Sequence, residues 1–539
     1  MAKGRRIEKK DSVAVPVQKD SQTRSDGNLA VRTVWLIIAF RVVNAFLIKT
    51  FFQPDEYFQS WEKAHNDVFG YGQVTWEWKS SVRTSLVPLV FGGLFRLANL
   101  LHINYMVPGK VFCGLVAATG DIYTYKLALK LTKSRQVAQL AFWASLASVF
   151  NFYAGTRAFS NTFEMALTAV SLYLWPMTAD NLQTNGDLSR FVGTLILANV
   201  TVLLRPTNAA LWIIMYLHLM WILRKDLIKI LAFNWVSCVM VLVLQVAGNG
   251  LDMFYHKSWI PPIGMFLYIN GMVNVSSFYG EMPWYFYFVS GFPMLLMAFL
   301  PFAAYGLYRL GPKSLIFNIV LSQTAIFSFV AHKEARFLYF LLPLLHIAMA
   351  TKVNKKIMKI LTLINIPIAL YLSFFHQRGV ISVVNYISGN KDIVKASFLM
   401  PCHSTPMHAH IHRDDLRDHI TSLSCEPVIP LGLFSVPNGQ YDDEADLFYQ
   451  NPVEFLQANP RFLAPHIVFF EALRPTIQPL LEVYGYTLEK SFFNSHFHED
   501  KRRRGDVLVY SRPLTTADLM GYSDYDEDVI FENVDGYLS

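Results

Sequence analysis

Charged residues are scarce in this 539-residue chain, at 16%, against about 25% in an ordinary soluble domain. With 53% hydrophobic residues and a mean hydropathy of +0.29, that scarcity excludes a chain built only of water-soluble domains. Cysteine is rarer still: 4 residues exclude a disulfide scaffold. Cys113 and Cys238 fall in apolar stretches and read as packing residues. Cys402 and Cys425 fall in the polar C-terminal part, where an oxidising compartment would let them pair, and the sequence leaves that open. No His, Cys or Asp cluster shows zinc-ligand spacing, so no metal is expected; His403, His408, His410 and His412 read as surface residues. The formal charge is +7, yet no basic patch with interleaved aromatics is present, which argues against nucleic acid as a partner. A cleavable signal peptide is also missing. Residues 1–31 are polar and basic (Arg5, Arg6, Lys9, Lys10, Lys19) and read as a disordered cytosolic tail ahead of a signal-anchor span.

What is present is a series of apolar segments at about 33–50, 108–131, 136–154, 161–178, 190–204, 208–223, 228–247, 285–308, 314–331, 336–351 and 355–375. Most have the length of a membrane-crossing helix. The apolar segment 84–104 carries Arg83, Arg96, Asn99, His102 and Asn104 at roughly helical spacing and reads as an interfacial amphipathic helix. Orientation supports that choice. With the N-terminal tail in the cytosol, the cytosolic loops hold Lys133 and Arg135, Arg190, Arg224 with Lys225 and Lys229, Arg309 with Lys313, and Lys352 with Lys355 and Lys356. Counting 84–104 as a span would put these clusters outside. The expected organisation is therefore a tail over 1–31, a transmembrane domain over 32–375 with a lumenal loop at 51–107, and a lumenal soluble domain over 376–539. That domain contains strand-like runs at Ile393–Met400, His466–Phe470 and Val507–Tyr510 and reads as a small α/β unit. The sequon at Asn274 falls in the lumenal loop 248–284 and is a candidate glycosylation site.

The strongest chemical signal follows the first span: Phe52-Gln53-Pro54-Asp55-Glu56-Tyr57-Phe58-Gln59-Ser60. Adjacent carboxylates at a membrane surface are unfavourable unless they are used or well solvated. The plain alternative is a hydrated loop whose Asp caps a helix. Trp61, Tyr71, Thr75, Trp76, Glu77 and Trp78 follow; such aromatics serve as membrane-interface belts or stack on sugars. Three further lumenal ends are polar: Arg157 with Ser160, Asn161 and Glu164; Arg205-Pro206-Thr207-Asn208; and His332-Lys333-Glu334-Ala335-Arg336. Singly each reads as structural, an Arg near a span end usually snorkelling. Together they set cations opposite a carboxylate pair, which suits an anionic, phosphate-linked substrate.

Pro54–Ser60, Phe69-Gly70-Tyr71-Gly72, Val74-Thr75-Trp76-Glu77-Trp78, Arg205-Pro206-Thr207, Phe278-Tyr279-Gly280 with Pro283-Trp284, Gly291-Phe292-Pro293 and the box at 332–337 together resemble the lipid-linked mannosyltransferases of glycosyltransferase family 22. The resemblance covers nearly all of the chain from residue 50. Within the family, His376-Gln377-Arg378-Gly379, Met400–Pro406 and Asp443-Glu444-Ala445-Asp446 with Phe448-Tyr449 are similar to the members that add the third, α1,2-linked mannose to the glycosylphosphatidylinositol (GPI) precursor. Two positions depart from the pattern. Gln53 stands where many members have His, which puts a role for an imidazole there in doubt. Ala335 stands where an aromatic is usual, and only a packing change is expected.

The resemblance implies a polytopic α-helical membrane protein of GT-C type, with about eleven spans and a lumenal C-terminal α/β domain, in the endoplasmic reticulum membrane. It implies dolichyl-phosphate-mannose as donor, the GPI precursor glycolipid as acceptor, and inversion at the sugar carbon by a single displacement with one general base. Asp55 is the expected base and Glu56 its orienter, the swapped roles remaining open. Candidates for the donor phosphate and sugar are His332, Lys333, Arg336, Arg205 and Arg378; for the acceptor they are Tyr57, Gln59, Trp76, Glu77 and Trp78. No cofactor is required, because dolichyl phosphate leaves as a stable anion. The competing readings are a family member acting on the N-glycan precursor or on the fourth GPI mannose, and a transporter, which would show inverted repeats and midplane charges. Whether the C-terminal domain helps build the acceptor site or only caps the membrane domain is left open.

Overall fold

The computed structural model describes residues 29–178, 182, 184–272, 275, 280–427, 442–515 and 518. Every expected apolar segment is helical. The series opens with Val31–Leu47, Met106–Thr132, Arg135–Ala147 with Val149–Ala154, and Ser160–Leu174. It continues through Asn185–Leu204, Ala209–Leu223 and Leu227–His256. It closes with the broken helix Tyr287–Leu310, then Leu315–Phe329, Ala335–Ala350 and Lys355–Phe374. Among the described residues, 5 helices are long and apolar enough to cross a membrane: Gly186–Leu204, Pro206–Leu223, Leu227–His256, Tyr287–Leu310 and Lys355–Gly389. Met106–Thr132 is long but carries charges that are satisfied inside the bundle. Arg41 donates to Asp121 at 2.6 and 3.0 Å, and Ser145 Oγ donates to the same carboxylate at 2.6 Å. Paired charges of this kind are the form in which ionisable groups are tolerated between packed helices.

Side-chain caps start several of these helices. Ser134 accepts from Val137 N, Asp226 from Lys229 N and Asn354 from Ile357 N, each filling an orphan donor of the first turn. Thr184 and Asp187 form a reciprocal capping box. Cys113 is buried as expected, but Cys238 is exposed on the outer face of Leu227–His256. It lies among the exposed Trp235, Leu242 and Val246, because most of that helix has no protein neighbour on this side.

The segment 84–104 forms the helix Leu86–Leu100. Val87, Phe91, Phe95 and Ala98 bury one face against Trp61, while Leu89, Val90, Leu97 and Leu100 stay exposed. The outward face is therefore more apolar than a polar–apolar division would give.

The C-terminal part holds a five-stranded sheet: β1 Ala396–Phe398, β2 Ile420–Ser422, β3 His466–Phe470, β4 Thr487–Ser495 and β5 Gly505–Ser511, in the order β2-β1-β3-β5-β4. The β2-β1-β3 half is parallel and the β3-β5-β4 half antiparallel, with Val468 opposite Val509 and Phe470 opposite Val507. Alternation splits the strands between two cores. Ile467, Phe469, Leu508 and Tyr510 pack with Phe448, Ile477 and Leu481. Val468, Phe470, Val507 and Val509 pack with Val380, Val383 and Val384, and through them with Phe51, Tyr57, Phe58 and Trp61. The sheet thus shares one core with the acidic loop.

Candidate active site

The chain leaves the first helix in an extended run held against the end of Lys355–Phe374: Lys49 N donates to Ser373 O and Phe51 N to Gln377 O, both at 3.0 Å. Pro54 then opens a turn, with Tyr57 N reaching Pro54 O at 2.9 Å. Residues Tyr57–Trp61 form a single π-helical turn, a feature frequent at functional sites. Asp55 and Glu56, just ahead of this turn, sit in different environments.

Glu56 points inward. Its Oε2 accepts from Arg157 Nη1 at 2.7 Å. Arg157 is fixed in turn by Thr50 O at 2.8 Å, Thr50 Oγ1 at 3.1 Å and Tyr153 O at 2.8 Å. Burial pushes the Glu56 carboxyl above its ordinary value, against the pull of Arg157. Asp55 points outward and takes Arg336 Nη1 at 2.6 Å on Oδ2; its Oδ1 makes no hydrogen bond among the described residues. Arg336 also grips Glu334 with Nε and Nη2, both at 2.7 Å, and Glu334 meets His332 Nε2 at 3.2 Å. Burial would raise the Glu334 pKa, but Arg336 and His332 outweigh it and hold the carboxyl well below its usual range. Burial also opposes charge on His332; hydrogen bonds to Glu334 and to the Gly280 carbonyl outweigh it, and the imidazole is held above its usual value.

A second arc faces this one. Glu77 accepts from Arg83 Nε at 3.0 Å and Nη2 at 2.5 Å, and from Gln59 Nε2 at 3.1 Å. His256 Nε2 lies 2.8 Å from Arg83 O, and Asp252 accepts from Ser85 N at 2.7 Å, so the long helix Leu227–His256 fixes the backbone at 83–85. Arg205 pairs with Glu164 at 2.9 Å and donates to Ser160 Oγ at 3.1 Å. The Asp55 charge acts on Arg83, Arg205 and Arg336 alike. Beside the second arc lies a small cleft lined by Gln59, Trp78, Arg83, Thr84, Ser160 and Leu204.

The expected residues divide accordingly. Asp55, Gln59, Glu77, Arg205, His332 and Arg336 belong to the two arcs. Glu56 belongs to the clamp beneath them. Tyr57 is buried, stacked on Phe51 with ring centres 5.3 Å apart. Trp78 is buried and donates Nε1 to Phe58 O at 2.9 Å. Both rings hold the loop. Trp76 is half-buried beside Val82 and Ile269. Lys333 Nζ binds the Met282 carbonyl at 2.6 Å, away from Asp55. Arg378 is exposed just past the last long helix, with no side-chain partner among the described residues. Asn274 lies outside the described residues.

Two arginines were not chosen from the sequence. Arg83 reads there as decoration of an interfacial helix and Arg157 as a snorkelling span end; only folding brings them to Glu77 and Glu56. The surface reading holds for His412, which is exposed, but is corrected for His408, which is buried, and for His403 and His410, which are half-buried. His408 and His410 dock against the loop: the His410 ring meets Tyr57 at 5.0 Å and the His408 ring meets Tyr71 at 5.5 Å. His412 Nδ1 lies 2.9 Å from His65 Nε2, and the His403 ring meets Phe58 at 4.5 Å. The cause is Glu62, whose buried Oε1 accepts the backbone N–H of Met407 and of Ala409, both at 2.9 Å. Burial pushes its carboxyl up to about 7 against these donors.

The fold is that of a polytopic helical membrane protein of the GT-C type. The fold is similar to that of ArnT from Cupriavidus metallidurans, solved bound to undecaprenyl phosphate. The TM-score is 0.57 at 10% identity, covering 89% of this chain and 98% of that one. Residues 32–412 match the Alg9-like mannosyltransferase family, and the chain belongs to it. Its relatives include GPI mannosyltransferase 3 of Yarrowia lipolytica, 38% identical over 88% of this chain and 96% of that protein. The GPI alpha-1,2-mannosyltransferase 3 of Bos taurus is 32% identical over 94% of each, and that of Homo sapiens 30% identical over 94% and 92%.

Proposed function

We propose that the chain transfers a mannosyl residue from dolichyl-phosphate-mannose to the GPI precursor, as its third, α1,2-linked mannose, on the lumenal face of the endoplasmic reticulum membrane. The observation that carries this reading is the likeness, across nearly the whole of both chains, to curated relatives named for that activity. The site supplies the chemistry. The acceptor hydroxyl gives its proton to the uncommitted Oδ1 of Asp55, its oxygen bonds to the sugar carbon, and the bond from that carbon to the donor phosphate breaks. The attack comes from the face opposite the phosphate, so a β-linked donor yields an α-mannoside. Dolichyl phosphate leaves as an anion and needs cations more than an acid. Arg336 and Arg205 supply them, with His332 held beside them on Glu334; Arg378, past the last long helix, is a further candidate, and Lys333 would have to leave the Met282 carbonyl to reach a phosphate. Gln59 and Glu77 present hydrogen-bonding groups to the acceptor, with Trp76 the neighbouring aromatic candidate. Tyr57 and Trp78 keep the loop in shape. Glu56, locked on Arg157, orients Asp55 by fixing the turn. The reaction requires no metal or other cofactor at this centre. The N-terminal tail is assigned to the cytosol and the sheet domain to the lumen.

Complementation tests the reading. In cells that lack the third GPI mannosylation step, the wild-type chain should restore surface GPI proteins and Asp55→Asn should not, with glycolipids ending at two mannoses in the deficient cells. Failure of the wild type, expressed and correctly localised, overturns the acceptor assignment. Restoration by Asp55→Asn overturns the base assignment.

A further inference from the structure

The C-terminal ends of the parallel strands β1 and β2 bring together donors that the linear sequence keeps far apart. Cys402 lies beyond β1 and Cys425 beyond β2, while Asp443 caps the helix Glu444–Gln450. One ligand atom from each lies within 4.8 Å of the others. His403 stands just outside this group, its Nδ1 3.6 Å from Cys425 Sγ, so a turn of its ring would bring in a fourth donor. The surroundings are braced. Ser424 N donates to Glu444 Oε2 at 2.8 Å, and Ala445 N to Ser424 O at 3.2 Å, which ties the Cys425 segment to the Asp443 segment. Asp443 accepts from Asp446 N on Oδ1 at 2.7 Å, which fixes its carboxylate at the head of the helix. Arg503 donates to the Cys402 carbonyl at 3.3 Å and brings positive charge to the rim.

We propose that Cys402, Cys425, Asp443 and His403 form a structural binding site for a zinc-class divalent cation. Two sulfurs, one nitrogen and one oxygen are the donor types that such ions take in closed tetrahedral sites. Binding a divalent ion here displaces the two thiol protons and leaves one net negative charge over two thiolates and a carboxylate, which Arg503 faces. A disulfide between Cys402 and Cys425 would be neutral. It would leave the Asp443 carboxylate against an uncharged sulfur pair and give the imidazole no partner. Zinc spacing is absent from the sequence because the donors come from three separate segments that only the sheet and its following helix assemble. The site is remote from the reacting carboxylates but joined to them, since the His403 ring lies edge-on to Phe58, three residues after Asp55. The ion therefore stiffens the contact between the sheet domain and the acidic loop.

The test uses the full-length protein purified in detergent, stripped with a chelator under reducing conditions and titrated with Co2+ alone. The expected result is a thiolate-to-cobalt charge-transfer band with tetrahedral visible bands, reversed by Zn2+, and protection of both cysteines from alkylation by Zn2+. His403→Ala removes a ligand and should weaken cobalt binding by more than the roughly 10–100-fold lost with an outer-shell partner. The spectroscopic and alkylation readouts on the wild type need no variant to fold. Three results would overturn the site: no thiolate–cobalt band, alkylation of Cys402 and Cys425 unchanged by Zn2+, or an intact mass of the unreduced protein showing the two cysteines already joined.

Discussion

The two carboxylates of the acidic turn sit in environments that separate chemistry from stability, so single substitutions should separate them too. In Asp55→Asn, Arg336 keeps both of its bonds to Glu334. The Asp55 side chain is 24% exposed. Arg336 is buried but keeps its second carboxylate, so loss of this contact should cost about 1.5–3 kcal/mol, the worth of one hydrogen bond to a charged group. Transfer should fall by about 10²–10⁴, the usual contribution of a positioned general base. Glu56→Gln does the reverse. Arg157, whose side chain is 1% exposed, loses its carboxylate, and breaking a buried pair by removing one partner costs about 3–5 kcal/mol. The double variant Glu56→Gln/Arg157→Met removes both charges and should recover most of that stability. The assay pairs thermal unfolding in detergent with single-turnover mannosyl transfer. A folded Asp55→Asn that retains wild-type turnover would refute the division of roles. So would a Glu56→Gln protein as stable as wild type whose turnover is abolished.

The His332–Glu334–Arg336 clamp should respond to pH in two directions. The raised His332 contributes fully below about 6.5 and loses its contribution as pH rises through its folded value. The depressed Glu334 contributes fully above about 4.3 and loses its contribution as pH falls through its own. Stability should therefore peak in the mildly acidic range, and His332→Gln should remove the alkaline limb of a melting-against-pH series; an unchanged limb would exclude the imidazole. Arg378→Ala should raise the KM for the lipid-phosphate donor about 10–100-fold, the worth of one charge-assisted hydrogen bond, with unfolding temperature unchanged; an unchanged KM would take Arg378 out of the site. Gly109→Val places a Cβ 2.4 Å from the Trp61 ring, and overpacking of this kind costs about 1–3 kcal/mol; thermal unfolding checks it.

The sequence discloses the helices well because apolar runs must recur wherever helices are surrounded by lipid or by one another; the caps at Ser134, Thr184, Asp226 and Asn354 came only with the structure. The sheet was legible only in part. β3 and β5 are apolar on both faces and stand out, whereas β4 is mostly polar and exposed, and β2 is too short to carry a period. Asp55, Glu77, Arg205, His332 and Arg336 could be chosen from residue type and from the side of the membrane they share. Their pairing could not. Arg157 and Arg83 depend on side-chain direction at the ends of helices, and the docking of residues 403–412 depends on a buried Glu62 that reads in sequence as an ordinary helix-surface residue.

The central claim is that Asp55 takes the acceptor proton while mannose passes from a dolichyl phosphate to a GPI glycolipid. Its most direct measurement is transfer by the purified chain in lipid nanodiscs, with labelled dolichyl-phosphate-mannose and a GPI precursor carrying two mannoses. The account predicts one added mannose, released by an α1,2-specific mannosidase, from the wild type and none from a folded Asp55→Asn. Equal product from both proteins, or no product from the wild type with this donor and acceptor, would contradict it.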